Sequence, residues 1–141
     1  MAKSAVRAAE VREPRILVVD DLGYAREALA ALLRSANYEV AVVGSGAEAL
    51  DELARNGADL VLSDIYMPRM TGWELAHEVR ARGVTNTRGL PICIGLYSAL
   101  LSGFSREQLT RAEVDFAVTK LTDPDAILDA IERALAWSEV R

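Results

Sequence analysis

Residues 16–21 read Ile-Leu-Val-Val-Asp-Asp, and residues 60–72 read Leu-Val-Leu-Ser-Asp-Ile-Tyr-Met-Pro-Arg-Met-Thr-Gly. In both stretches a short apolar run ends in carboxylates. An unbroken apolar run, with no polar residue at alternate positions, describes a strand buried on both faces, as in a parallel sheet covered by helices on each side. The acids that close the runs are then the first residues to leave the core, at the carboxyl end of their strands.

The pattern repeats outward from these two segments. Further strand-like runs lie at 38–43, 92–96 and 114–119. Between the first two strands, residues 23–36 place Ala25, Leu29, Leu32, Leu33 and Ala36 on one helical stripe, with Arg26, Glu27 and Arg34 elsewhere. Ser45 is positioned to cap a second helix that ends near Arg55. Helices are predicted over 72–82, weakly over 105–112, and from Asp123 or Pro124 to about 138, where proline suits the first turn. Five strand–helix units in succession predict an α/β fold, a doubly wound five-stranded parallel sheet with helices on both faces. In such sheets the chemistry gathers outside the carboxyl ends of the strands.

Composition bounds what that chemistry is. A chain of 141 residues holds one domain. Residues 15–141 are expected to form it, and residues 1–14, which mix Lys3, Arg7 and Arg12 with Glu10 and Glu13, a flexible N-terminal tail. Sixteen basic against twenty-one acidic residues give a net charge of −5, which argues against nucleic-acid binding by bulk charge. A single cysteine makes no internal disulfide, and Cys93 with His77 cannot build a structural zinc site. No apolar run approaches the roughly 20 residues of a membrane span, and the N-terminus lacks the apolar stretch of a signal peptide. A soluble cytoplasmic protein is expected.

At the strand ends stand Asp20 and Asp21, then Asp64, Ser98 and Lys120. Three converging carboxylates raise one another's pKa and call for a cation. Oxygen donors without histidine or cysteine select a hard metal, and a small site that keeps several waters suits Mg²⁺. Lys120, one of two lysines among the sixteen basic residues, would neutralise further. Capping of the following helix would need one acid, whereas two stand in tandem after the first strand.

VVDD at 18–21, DIYMPRMTGWEL at 64–75, and a fifth strand ending in Lys120 resemble the receiver domain of bacterial response regulators, of the chemotaxis-regulator type. The likeness covers residues 15–137, and its most specific part is Asp64-x-x-Met67-Pro68-x-x-x-Gly72. The resemblance implies a flavodoxin-like strand order, 2-1-3-4-5. It also implies that Asp64 is the phosphoacceptor, taking a phosphoryl group from a sensor histidine kinase or phosphotransfer protein. Asp20, Asp21 and Asp64 would hold Mg²⁺ with the main-chain carbonyl of Tyr66, Asp21 directly and Asp20 partly through water. Ser98, followed by Ala99, would be the hydroxyl that turns towards the new phosphate, and Lys120 would offset its charge. Such a protein is a switch rather than an enzyme, its only chemistry being the making and loss of its own acyl phosphate. Leu100, Leu101, Phe116 and Trp137 would belong to the surface presented to a downstream protein partner or a second copy of the domain.

Three positions depart from the family's usual pattern. Leu121 follows the lysine where a cis-proline is usual, so a trans bond is expected. Ala117 stands at the aromatic switch position, with Phe116 beside it. The segment after Ser98-Ala99 is apolar. These departures define an alternative, a phosphorylation-independent scaffold with a receiver fold, against which the retention of Asp20, Asp21, Asp64 and Lys120 speaks. A haloacid-dehalogenase-type phosphatase is excluded because Leu22, not an acid, stands two residues after Asp20. Gly44-Ser45-Gly46 lacks the third glycine of a dinucleotide loop and follows the second strand. His77 reads as solvated, Cys93 as a small core residue, and Trp73 as an interface residue or a cover over the core.

Overall fold

A computed structural model describes residues 13–99, 105–120 and 123–140. Five strands, β1 (Arg15–Val19), β2 (Glu39–Val43), β3 (Leu60–Asp64), β4 (Cys93–Ser98) and β5 (Phe116–Thr119), form one sheet in the order β2-β1-β3-β4-β5. All four pairings are parallel. The helices are α1 (Gly23–Ser35), α2 (Gly46–Arg55), α3 (Gly72–Ala81), α4 (Arg106–Arg111) and α5 (Pro124–Val140).

Alternation along the strands divides the core in two. Ile16 and Val18 of β1, Leu60 and Leu62 of β3, and Cys93 and Tyr97 of β4 face one side, where Leu29 and Leu33 of α1 and Ile127 and Ile131 of α5 cover them. Leu17, Val19, Val61, Ile94 and Leu96 face the other, beneath Leu50 and Leu53 of α2 and Leu75, Ala76 and Val79 of α3. Neighbouring residues on one strand thus serve opposite layers, which is why the runs read as continuous.

Local signals set the helix starts. Ser45 accepts from the Glu48 amide, and Thr71 and Ser105 each form a reciprocal capping box, with Glu74 and Gln108 respectively. Each cap supplies about 1 kcal/mol to its helix. The fifth strand begins later than its apolar pattern predicts. Glu113 turns with φ 57°, and the Asp115 carboxylate is engaged by the Ile94 amide and by Arg80, so pairing starts only at Phe116.

Two glycines are required by close approach. A Cβ on Gly72 would overlap the main-chain oxygen of Asp64 and lie 3.0 Å from Ile65 Cα, so only glycine lets α3 begin against the end of β3. The Gly72 amide donates to the Ile65 carbonyl at 2.8 Å, closing that turn. Gly95 on β4 leaves the space that the Phe116 ring occupies.

Candidate functional site

The strand order reverses at β1, which lies between β2 and β3, and the crevice outside the carboxyl ends of β1 and β3 is the expected ligand position. Asp20 and Asp21 follow β1 and Asp64 ends β3. One carboxylate oxygen from each lies within 4.8 Å of the others. Asp20 is fully buried, Asp64 is 5% exposed and Asp21 is open to solvent. This all-oxygen set, partly buried and open on the Asp21 side, fits a hard divalent cation that keeps part of its water shell.

Lys120, next after β5, reaches across β4 to the acids. Its Nζ donates to Asp20 Oδ2 and Asp64 Oδ2, each at 3.2 Å. The Lys120 amide donates to the Ser98 carbonyl at 2.8 Å, which fixes the root of the side chain. Burial alone would lower the Lys120 pKa, but Asp64 and Asp20 outweigh it and hold the ammonium above its ordinary value. Burial raises Asp64 above the usual carboxylate range; Lys120 opposes that shift and the Asp20 charge adds to it.

Two participants were not singled out from the sequence. Tyr97, opposite Asp64 in the β3–β4 register, donates its buried phenol to Asp20 Oδ2 at 2.5 Å. Burial first, and then that bond, push the phenol well above its ordinary pKa, so it remains a donor. Its signal in the sequence was a hydroxyl-bearing aromatic near the end of a buried strand, where the O–H must find a partner. Arg26 donates from α1 to the main-chain carbonyl of Asp20 at 2.8 Å; no sequence motif marked it. The Leu22 amide donates to Asp20 Oδ1 at 3.0 Å, closing an Asx-type turn between β1 and α1.

The remaining expectations fall in several places. Ser98 is buried at the end of β4, beside Thr119 of β5, and Ala99 after it is exposed. The Tyr66 side chain is 65% exposed at the rim. Phe116 does not lie on an open surface: it is half-buried on the layer of α1 and α5, its ring over Gly95. Trp137 is 64% exposed but does not flank the Ser98 end. It lines a groove of about 810 Å³ with Gly83, Pro91 and Glu113, residues that precede β4 and β5, at the amino-terminal ends of the strands, away from the acids. The reason is helical rise: α5 starts after β5 and carries Trp137 roughly 20 Å back along the sheet. Leu100, Leu101 and the Lys120–Leu121 bond lie outside the described residues. Among the described residues no helix is long and apolar enough to cross a membrane.

Comparison with known proteins agrees with this geometry. Residues 16–132 match the family described as the response regulator receiver domain. A stretch covering 86% of the chain is 34% identical over 121 residues to the sensor histidine kinase RcsC of Salmonella typhi, of whose length it spans 12%. The chain is 43% identical over 67 residues, 48% of its length, to the sensory transduction protein RegX3 of Mycolicibacterium smegmatis, of which they cover 29%. The chain therefore corresponds to a minor part of these relatives. Among solved structures, the chemotaxis protein CheY4 of Vibrio cholerae superposes with a TM-score of 0.77 at 25% identity, over 87% of this chain and 99% of that one. The receiver domain of the sensor histidine kinase PA1611 of Pseudomonas aeruginosa, crystallised with a magnesium ion in its active-site cleft, shares the fold with a TM-score of 0.74 at 24% identity, over 89% of this chain and 99% of that one.

Proposed function

The chain belongs to the response regulator receiver domain family of two-component signalling, and from that premise we propose that Asp64 accepts a phosphoryl group from a phosphohistidine on a sensor histidine kinase or phosphotransfer protein. A carboxylate oxygen of Asp64 attacks phosphorus, the P–N bond breaks, and its electron pair leaves with the imidazole, giving an acyl phosphate. The transferring group gathers negative charge beside acids, so positioned positive charge is the main requirement. Lys120 supplies one part, poised 3.2 Å from Asp64 Oδ2. Mg²⁺ would supply the rest, held by Asp20, Asp21 and Asp64 with the main-chain carbonyl of Tyr66. The observation that carries this reading is the meeting of three carboxylates within 4.8 Å beside that lysine.

Ser98, one strand from Asp64 and tied through its carbonyl to Lys120, is the hydroxyl that turns to the phosphate. Its movement alters the surface beyond the end of β4 that a protein partner or a second copy reads. The domain thus works as a protein-interaction switch. It turns over no substrate beyond its own acyl phosphate, contacts no nucleic acid or membrane directly, and works in the cytoplasm with its donor.

Beryllofluoride, which mimics the phosphoryl group, tests site and switch together. With Mg²⁺ it is expected to shift backbone amide signals around Asp64 and again through residues 98–112. Shifts confined to the Asp64 loop would favour the scaffold alternative.

A further inference from the structure

Tyr97 stands just before Ser98, with its side chain in the layer beneath α1 and α5 among Val18, Leu62 and Ile127. An aromatic ring would fill that space without a hydroxyl. The hydroxyl instead donates to Asp20 Oδ2. Lys120 Nζ shares that oxygen at 3.2 Å, and the Leu22 amide takes Oδ1 at 3.0 Å. The same ring lies 4.9 Å below Lys120 Nζ, within cation–π distance. Of the three facing carboxylates, Asp20 alone is fully enclosed, bonded by a phenol, an ammonium and an amide, while Asp21 beside it stands in solvent.

We propose that the Tyr97 hydroxyl is a positioning group that keeps Asp20 out of direct contact with the bound cation and thereby sets the preference of the site for Mg²⁺ over Ca²⁺. The inference rests on the Mg²⁺ reading above. Mg²⁺ retains several waters and needs one or two carboxylates, whereas Ca²⁺ takes about six to eight oxygens and gains from each added carboxylate. A carboxylate offers about four lone-pair positions, and three donors already occupy Asp20, which leaves room for a bridging water. Released from Tyr97, Asp20 can swing onto the larger, less directional ion, so Ca²⁺ gains more than Mg²⁺.

The test is calorimetric titration of the wild type and Tyr97→Phe with MgCl₂ and with CaCl₂. Phenylalanine keeps the ring beneath Lys120 and removes only the donor. The ratio of Mg²⁺ to Ca²⁺ affinity is expected to fall about tenfold, the lower end of the 10–100-fold that outer partners of metal ligands carry. An unchanged ratio, even if both affinities move together, overturns the role of Tyr97. The wild type alone gives a second readout: the buried Tyr97 hydroxyl proton, donated to Asp20, should give a downfield resonance that persists at saturating Mg²⁺. Its loss on saturation would mean that Asp20 has left Tyr97 for the metal, and overturns the inference. Failure of the wild type to bind Mg²⁺ at all removes the metal reading as well, whereas binding with an unchanged ratio removes the role of Tyr97 only.

Discussion

Lys120 and Asp64 meet at 3.2 Å although β4 separates the strands that carry them. The lysine crosses the end of that strand, over the Tyr97 ring, to reach two acids at once. Without a metal, it is the cation that lets the two buried carboxylates share a pocket.

Lys120→Met should therefore destabilise the metal-free protein, because it orphans buried acids. Removing one partner of a buried ion pair costs about 3–5 kcal/mol. Lys120 keeps part of its side chain in solvent, so the lower end, about 3 kcal/mol, is expected by urea unfolding in chelator. Added Mg²⁺ should restore part of that loss; a variant as stable as the wild type in chelator would contradict the neutralising role.

Asp64 carries the opposite sign. Burial holds its carboxyl above the usual range, with the Asp20 charge adding and Lys120 opposing. A group that binds its proton more tightly folded than unfolded loses stability as pH rises through the carboxylate range. Asp64→Asn should thus melt higher than the wild type at pH 7 in chelator, and the gap should close below about pH 4. Like-charge clustering alone predicts the same gain for Asp20→Asn. The three donors on Asp20 reverse that expectation, so Asp20→Asn should melt lower. A higher melting point for Asp20→Asn would show that repulsion outweighs those bonds.

Much of this arrangement was legible in the sequence, and the illegible part has a physical pattern. Ile16–Val19 and Leu60–Leu62 announced buried parallel strands because both of their faces are covered, and Asp20, Asp21 and Asp64 stood out as acids where such strands end. Tyr97 was hidden because it looks like any large core residue, and only the partner 77 positions away shows what its hydroxyl does. Trp137 is exposed on α5, and a stripe on that helix gives its face and not its height along the sheet. Phe116 was assigned to the surface because nothing local reveals that Gly95, on the neighbouring strand, has made room for its ring.

That pairing makes its own prediction. A methyl group on Gly95 would run into the Phe116 ring, with β4 fixed between β3 and β5. Gly95→Ala should cost about 1–3 kcal/mol by overpacking. Adding Phe116→Leu should recover part of the loss in urea unfolding; strict additivity of the two changes would refute the contact as the cause.

Of the three clustered acids, Asp21 is the most open to solvent and the best placed to bind a metal directly. Asp21→Ala should abolish Mg²⁺ binding in calorimetric titration while leaving the unfolding free energy in chelator within about 0.5 kcal/mol of the wild type, as for other exposed substitutions. Unchanged Mg²⁺ affinity would move the metal site elsewhere.

Intact-protein mass spectrometry after incubation with acetyl phosphate and Mg²⁺ tests most directly whether Asp64 takes the phosphoryl group. The wild type should gain one phosphoryl group, labile as an acyl phosphate, and Asp64→Asn should gain none. Equal labelling of the two proteins, or none of the wild type, would contradict the account.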